Sequence, residues 1–294
     1  MSTTGGTMVT LQNEKLSMRI ALLGAEPQSL FSQENGIEYL WSGDKDFWPR
    51  RAPLLFPMTG PTKDNKIEAA GETYTMPNNG FARDTAFALL SQSSDTAVFE
   101  LQESETTLLY YPYGFRLTVT YTLLSDGFKA EAEVYAKNNL YFTFGWHPAF
   151  SLDINGKNTP LESYTVTFDK TENVDRKRPV DGVFVTDKNF LDNTDKLNLT
   201  REETDKGPII LNGLKSKHVT ITSKNGDHGV RVERGNLDTL VLWTVAPKHA
   251  QYICIEPMHS FGDTKREFAL ETMKEVLSLQ AGKTKQFYST FRVF

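Results

Sequence analysis

The chain has 294 residues, 39% of them hydrophobic and 12% aromatic, so it can bury a sizeable core, and all-β chains of this length often form one domain. One cysteine, Cys254, excludes an intrachain disulfide and a cysteine-based metal cluster, as befits a reducing compartment. A net charge of −5 with scattered Lys and Arg argues against a nucleic-acid face, and no apolar run approaches the roughly 20 residues needed to cross a bilayer. The opening MSTTGG is polar and lacks the basic and apolar regions of a secretion signal. A cytoplasmic protein with a small-molecule ligand, no nucleic-acid partner and no membrane contact is expected.

Period-2 alternation begins at LSMRIALL, which places Leu16, Met18, Ile20 and Leu22 on one face. AVFEL follows, then FRLTVTYTL, with Phe115, Leu117, Val119, Tyr121 and Leu123 on one face and Arg116 plus three threonines on the other. YTLLSDGFKAEAEV reads as a hairpin turning at SDG. In YFTFGWH, alternation sends Gly145 and His147 one way and Phe144 and Trp146 the other, and Pro148 is expected to end the strand. YTVTF is a further strand, and the polar stretch from Lys170 to Lys206 reads as long loops. HVTIT, GVRVE, LVLWTV and YICIE are strands separated by turn signals such as NGDHG and ERGN. LETMKEVLSL is the one plausible short helix, and FYSTFRVF closes the chain as a strand. Many short strands and few helices predict an all-β, antiparallel sandwich or barrel in one domain over 1–294.

Two ionisable residues stand out. His147 precedes Pro148 and Glu256 precedes Pro257, each in an otherwise apolar strand. Alone, His147 is as well explained by a core histidine with one hydrogen bond, and Glu256 by a structural ion pair or a solvent-reaching strand end. Together they suggest an acid–base pair, because a partly desolvated glutamate beside an imidazole has the pKa values that proton transfer near neutrality needs.

At these residues the chain resembles the aldose 1-epimerases, or galactose mutarotase-like proteins, most closely their LacX-type branch. The matching pieces are RRAPLLFPMTG (50–60), NGFARD (79–84), FGWHPAF (144–150), LKSKHVTI (214–221), LVLW (240–243) and CIEPMHSFGD (254–263), in family order. The resemblance implies a β-supersandwich with a concave sugar-binding face and chemistry without metal or cofactor. It implies His147 as general acid and Glu256 as general base in opening and re-closing a hexose ring. It also implies two departures: Asn79 stands where relatives carry a sugar-holding histidine, and Pro61 where many carry arginine. FPMTGP looks more like the branch acting on hexose 6-phosphates, where the arginine matching Arg83 helps bind phosphate. Arg83 could instead pair with Asp84, and Arg50 and Arg51 could be a solvated basic face. His259 and Trp146 are further candidates for sugar contact, against an exposed loop histidine and a core tryptophan. Trp243 carries the same alternatives. The family's third acidic residue has no clean match around Asp205 to Pro208. His218, His228 and His249 are assigned no role, no spacing suggests zinc, and Cys254 reads as an inert core thiol.

Overall fold

The computed structural model describes residues 8–152, 159–180, 183–225, 228–261, 269–273 and 275–294. The chain opens with β1 (Met8–Gln12), β2 (Leu16–Ala21) and β3 (Glu26–Ser32), which form their own three-stranded antiparallel sheet. Next come β4 (Leu54–Leu55), the small hairpin of β5 (Lys66–Ala69) and β6 (Glu72–Thr75), then β7 (Ala88–Gln92) and β8 (Thr96–Gln102). β9 (Phe115–Leu124) and β10 (Gly127–Ala136) form the hairpin expected at SDG, in register from Leu124 opposite Gly127. β11 (Leu140–Phe142) is followed by β12 (Phe144–Trp146) and β13 (Ala149–Ser151), which bracket His147 and Pro148 in the FGWHPAF segment. The second half adds β14 (Tyr164–Val180), β15 (Val183–Asn198), β16 (Ile209–Asn212), β17 (His218–Ser223), β18 (Gly229–Glu233), β19 (Thr239–Trp243), β20 (Tyr252–His259), β21 (Leu277–Leu279) and β22 (Thr284–Val293).

Fifteen of these strands join one large sheet, in which β12, β20, β19, β16 and β14 are successive neighbours. Alternation explains its packing. In β9 the apolar set Phe115, Leu117, Val119, Tyr121 and Leu123 is buried, while the residues between are partly exposed. They meet Phe128, Ala130, Ala132 and Val134 of β10 and Phe287 and Phe291 of β22 in one core. Each fully buried side chain of this size contributes about 1.5–3 kcal/mol of transfer free energy. The result is an antiparallel β-sandwich, as the alternation predicts.

Two expectations are corrected. Lys170–Lys206 is not loop: β14 and β15 form a long bulged hairpin, followed by one helical turn over Arg201–Asp205. Its exposed positions are polar, and it is held by ladder bonds and a few buried anchors, among them Val174, Leu191 and the ion pair Arg176–Glu203 at 2.5 Å. LETMKEVLSL is not a helix either. Leu270 N–H bonds to Glu68 O, turns follow at Thr272 and Val276, and Leu277–Leu279 pairs with β11; Lys274 lies outside the described residues.

Candidate active site

The ladder itself sets the pair. β12 pairs with β20 through Phe144 opposite His259 and Gly145 opposite Met258. β13 pairs with the same strand through Ala149 opposite Cys254. Both stretches keep one register, so counting inward puts His147 directly opposite Glu256. Ile255 N–H bonds to Pro148 O, which makes Pro148–Ile255 a hydrogen-bonded pair. His147–Glu256, the next pair along, is therefore of the non-hydrogen-bonded kind, in which side chains stand closer. Pro148 and Pro257 each lack an N–H, so the rungs on both sides of the pair lose a bond. Gly145 permits the close approach of the strands: a Cβ there would fall 2.6 Å from Met258 Cβ. As expected, the first strand stops ahead of Pro148: β12 ends at Trp146 and β13 begins at Ala149. Pro257, expected to stop its strand likewise, does not: β20 runs through it to His259, so Glu256 lies within the strand.

His147 Nε2 is 3.4 Å from Glu256 Oε2, with side-chain exposures of 9% and 3%. Burial pushes the Glu256 carboxyl well above the usual carboxylate range. Burial pulls the imidazole down to about 3, helped by the positive charge of Arg83 and Arg50. Both shifts favour the neutral forms, a protonated carboxyl beside a neutral imidazole, which together hold one transferable proton. Cys254 joins these two residues, with ligand-type atoms all within 4.8 Å. Burial and Glu256 push its thiol up, so it stays protonated, and a thiol is a poor metal ligand.

Aromatic rings enclose the imidazole. Trp48 stacks on it at 5.0 Å and 24°, and Trp243 meets it edge-on at 5.7 Å. The sequence offers Trp243 as a candidate for sugar contact, while Trp48 carries no signal beyond the FWP run just before RRAP. On the other side of Glu256 the sheet opens. Val241 lies opposite Glu256, Ile210 opposite Val241, Lys177 opposite Ile210 and Thr186 opposite Lys177, one row on one face. A cavity of about 270 Å³ includes Thr59, Lys177, Thr186, Ile210 and Asn212 in its lining. Strand spacing of about 4.8 Å puts Ile210 roughly 10 Å along the row from Glu256.

The remaining expected site residues fall as follows. Asn79 is buried with φ +63°; its Oδ1 accepts from Gly60 N–H at 2.6 Å and its own N–H donates to Gly60 O at 3.0 Å. Gly60 precedes Pro61, so the two departures from the family pattern meet at one junction. Arg83 is mostly buried, its Nε 3.6 Å from Asp84, which also takes a 2.7 Å bond from Arg50. Burial and the Arg50 charge lower the Arg83 guanidinium to about 10. Arg51 donates from Nη1 to Gln28 Oε1 at 2.6 Å. His259 is partly exposed, with Nδ1 3.2 Å from Asp238. Trp146 packs in the core against Phe144 and Tyr121, on the face opposite His147. Asp205 pairs with His249 at 2.8 Å, His218 lies 3.7 Å from Asp169, and His228 bonds Tyr164.

The family model for aldose 1-epimerase matches residues 7–289. The chain belongs to the aldose 1-epimerase family. The plasmid-encoded protein LacX of Lactococcus lactis subsp. lactis is 28% identical over 271 residues, covering 88% of this chain and 90% of that protein. The crystal structure of a galactose mutarotase-like protein from Lactobacillus casei ATCC 334 superposes with a TM-score of 0.90 at 28% identity, covering 98% of this chain and all of that one. A galactose mutarotase related enzyme from Lactobacillus acidophilus gives 0.91 at 25% identity, covering 98% and 97%. The fold is thus the galactose mutarotase-like supersandwich, and family membership supports a mutarotase-like function on a sugar. No helix among the described residues is long and apolar enough to cross a membrane.

Proposed function

We propose that this protein is a cytoplasmic aldose 1-epimerase, folded as one domain over 1–294, that interconverts the anomers of a hexose through Glu256 and His147. The supporting observation is the buried 3.4 Å contact between carboxyl and imidazole, a separation suited to two oxygens on one hemiacetal carbon. In opening, the pair's one proton passes from Glu256 to His147, the Glu256 carboxylate takes the C1-hydroxyl proton, the His147 imidazolium gives its proton to the ring oxygen, and the bond from C1 to that oxygen breaks. Rotation about C1–C2 presents the other aldehyde face, and closing reverses both transfers. Opening leaves Glu256 protonated and His147 neutral, the state that burial favours. Each transfer contributes about 10²- to 10⁴-fold.

The sugar body would lie over Val241 toward the cavity lined by Ile210 and Asn212. Asn79 commits its Oδ1 to Gly60, so a sugar contact there falls to its amide nitrogen. His259 and Trp146 remain candidates for sugar contact, more remote ones given the Asp238 pairing and the core packing. Anomerisation of glucose and galactose, followed by polarimetry or NMR exchange, tests the reading; rates equal to the spontaneous ones would refute it and leave a sugar-binding or regulatory protein. A second reading, a hexose-6-phosphate 1-epimerase, is favoured by Arg83 and Arg50, whose charges bear on His147 while the exposed Asp84 serves both. The same assay with the 6-phosphates separates the two.

A further inference from the structure

His147 lacks the usual means of orienting a catalytic imidazole. A working histidine ordinarily donates its second ring nitrogen to a carboxylate or carbonyl, which fixes ring plane and tautomer. Here Nδ1 is buried with no hydrogen-bond partner among the described residues. What the ring does contact is Trp48, stacked on its face at 5.0 Å, and the edge of Trp243. Trp48 sits in a loop whose two ends are tied to the strand that carries His147. At one end Trp41 N–H bonds to Ala149 O; at the other, Ala149 N–H bonds to Arg51 O and His147 N–H to Pro53 O. Between them, Phe47 and Trp48 N–H both bond to Asp44 O, Trp41 Nε1 donates to Trp48 O at 2.9 Å, and Lys248 Nζ donates to Asp46 O at 2.6 Å.

We infer that Trp48 is the positioning residue of the reaction: its indole, laid across the imidazole by this loop, holds the ring plane so that Nε2 faces the hemiacetal and shields the ring from water. The kinetic part rests on the epimerase reading; the orientation itself does not. Among the described residues, the groups that bear on the His147 charge are Glu256 and Cys254 on β20, Arg83 beside Asp84, and Arg50 in the loop. None of them is altered by changing Trp48. The low His147 pKa, about 3 against 6.5 for a free imidazole, agrees with such shielding.

The test is NMR titration of the His147 ring in the full chain and in Trp48→Leu, with Trp48→Phe as the ring-retaining control. Trp48→Leu should raise the His147 pKa by about one unit or more toward the free value, as water reaches the ring. It should lower kcat roughly ten- to hundredfold through misplacement of the imidazole, with KM changed less than about twofold. Trp48→Phe should restore most of both. A folded Trp48→Leu with unchanged titration and kcat would overturn the inference, as would a wild-type His147 that titrates like a free imidazole. If Trp48→Leu does not fold, Trp48→Met offers similar apolar bulk without a ring and is judged by the same criteria. Should the wild-type chain anomerise no aldose, the epimerase reading fails, yet the titration still decides the role of Trp48.

Discussion

Asn79 and Gly60 clasp each other twice, side-chain carbonyl to amide at 2.6 Å and amide to carbonyl at 3.0 Å. This joins the NGFARD turn to the end of the FPMTG segment, and Asn79 reaches it with φ +63°, a conformation asparagine tolerates better than most residues. Asn79→Ala leaves the buried Gly60 N–H without its partner and strains the backbone. A loss of about 1–3 kcal/mol in denaturant unfolding is expected. Asn79→Gly relieves the backbone and should lose less. Equal stability of all three forms would show that the clasp contributes nothing.

Glu256→Gln and His147→Asn each remove a proton carrier with little change of volume. Each should lower the anomerisation rate by about 10²- to 10⁴-fold while the circular dichroism spectrum stays native. A variant that keeps near-normal turnover removes the role assigned to that residue.

The same pair gives stability a defined pH dependence. Glu256 has a raised folded pKa, so its contribution is full below the unfolded value of 4.5 and is lost as pH rises through the folded one. Glu256→Gln mimics the protonated carboxyl and should gain melting temperature relative to wild type as pH rises above 4.5. His147 has a depressed folded pKa, so its contribution is present above 6.5 and lost as pH falls toward about 3. His147→Asn should therefore gain relative stability on the acid side. Melting curves whose differences stay flat across pH would contradict both assignments.

Arg83→Ala distinguishes phosphate recognition from a structural pairing with Asp84. If the 6-phosphate reading holds, KM should rise about tenfold or more for a hexose 6-phosphate and little for the free hexose, as removal of one charge-assisted contact implies. Equal losses on both substrates would make Arg83 a structural residue.

Alternation carried most of the fold. Residues 115–123 and 128–134 could be placed by face because one side of each strand meets the core. The hairpin of β14 and β15 was hidden for the opposite reason: the described part of β15 buries only Leu191, so no period-2 apolar signal exists to find. LETMKEVLSL misled because apolar residues three and four apart fit helix, while bonds to distant residues such as Glu68 decide its path. At the candidate site, GWHP and IEP pick out the two ionisable residues, but register is a property of two strands at once. That His147 stands opposite Glu256 could not be read from either segment. Trp48 belongs to an irregular loop without periodicity, and its stack depends on anchors about a hundred residues away.

The two prolines flanking the pair have a consequence for how the family can vary. Most enzymes hang their chemistry on loops above a finished sheet. Here the paired groups hang on the sheet's own lattice, at a place where each flanking rung loses one hydrogen bond because proline has no N–H. Drift in loops that do not contact the pair, such as the turn at Gly60, leaves that gap where it is. Loops that do not touch the pair can therefore be rebuilt without closing the gap, whereas loop 41–51 stacks Trp48 on the imidazole and is tied to the pair.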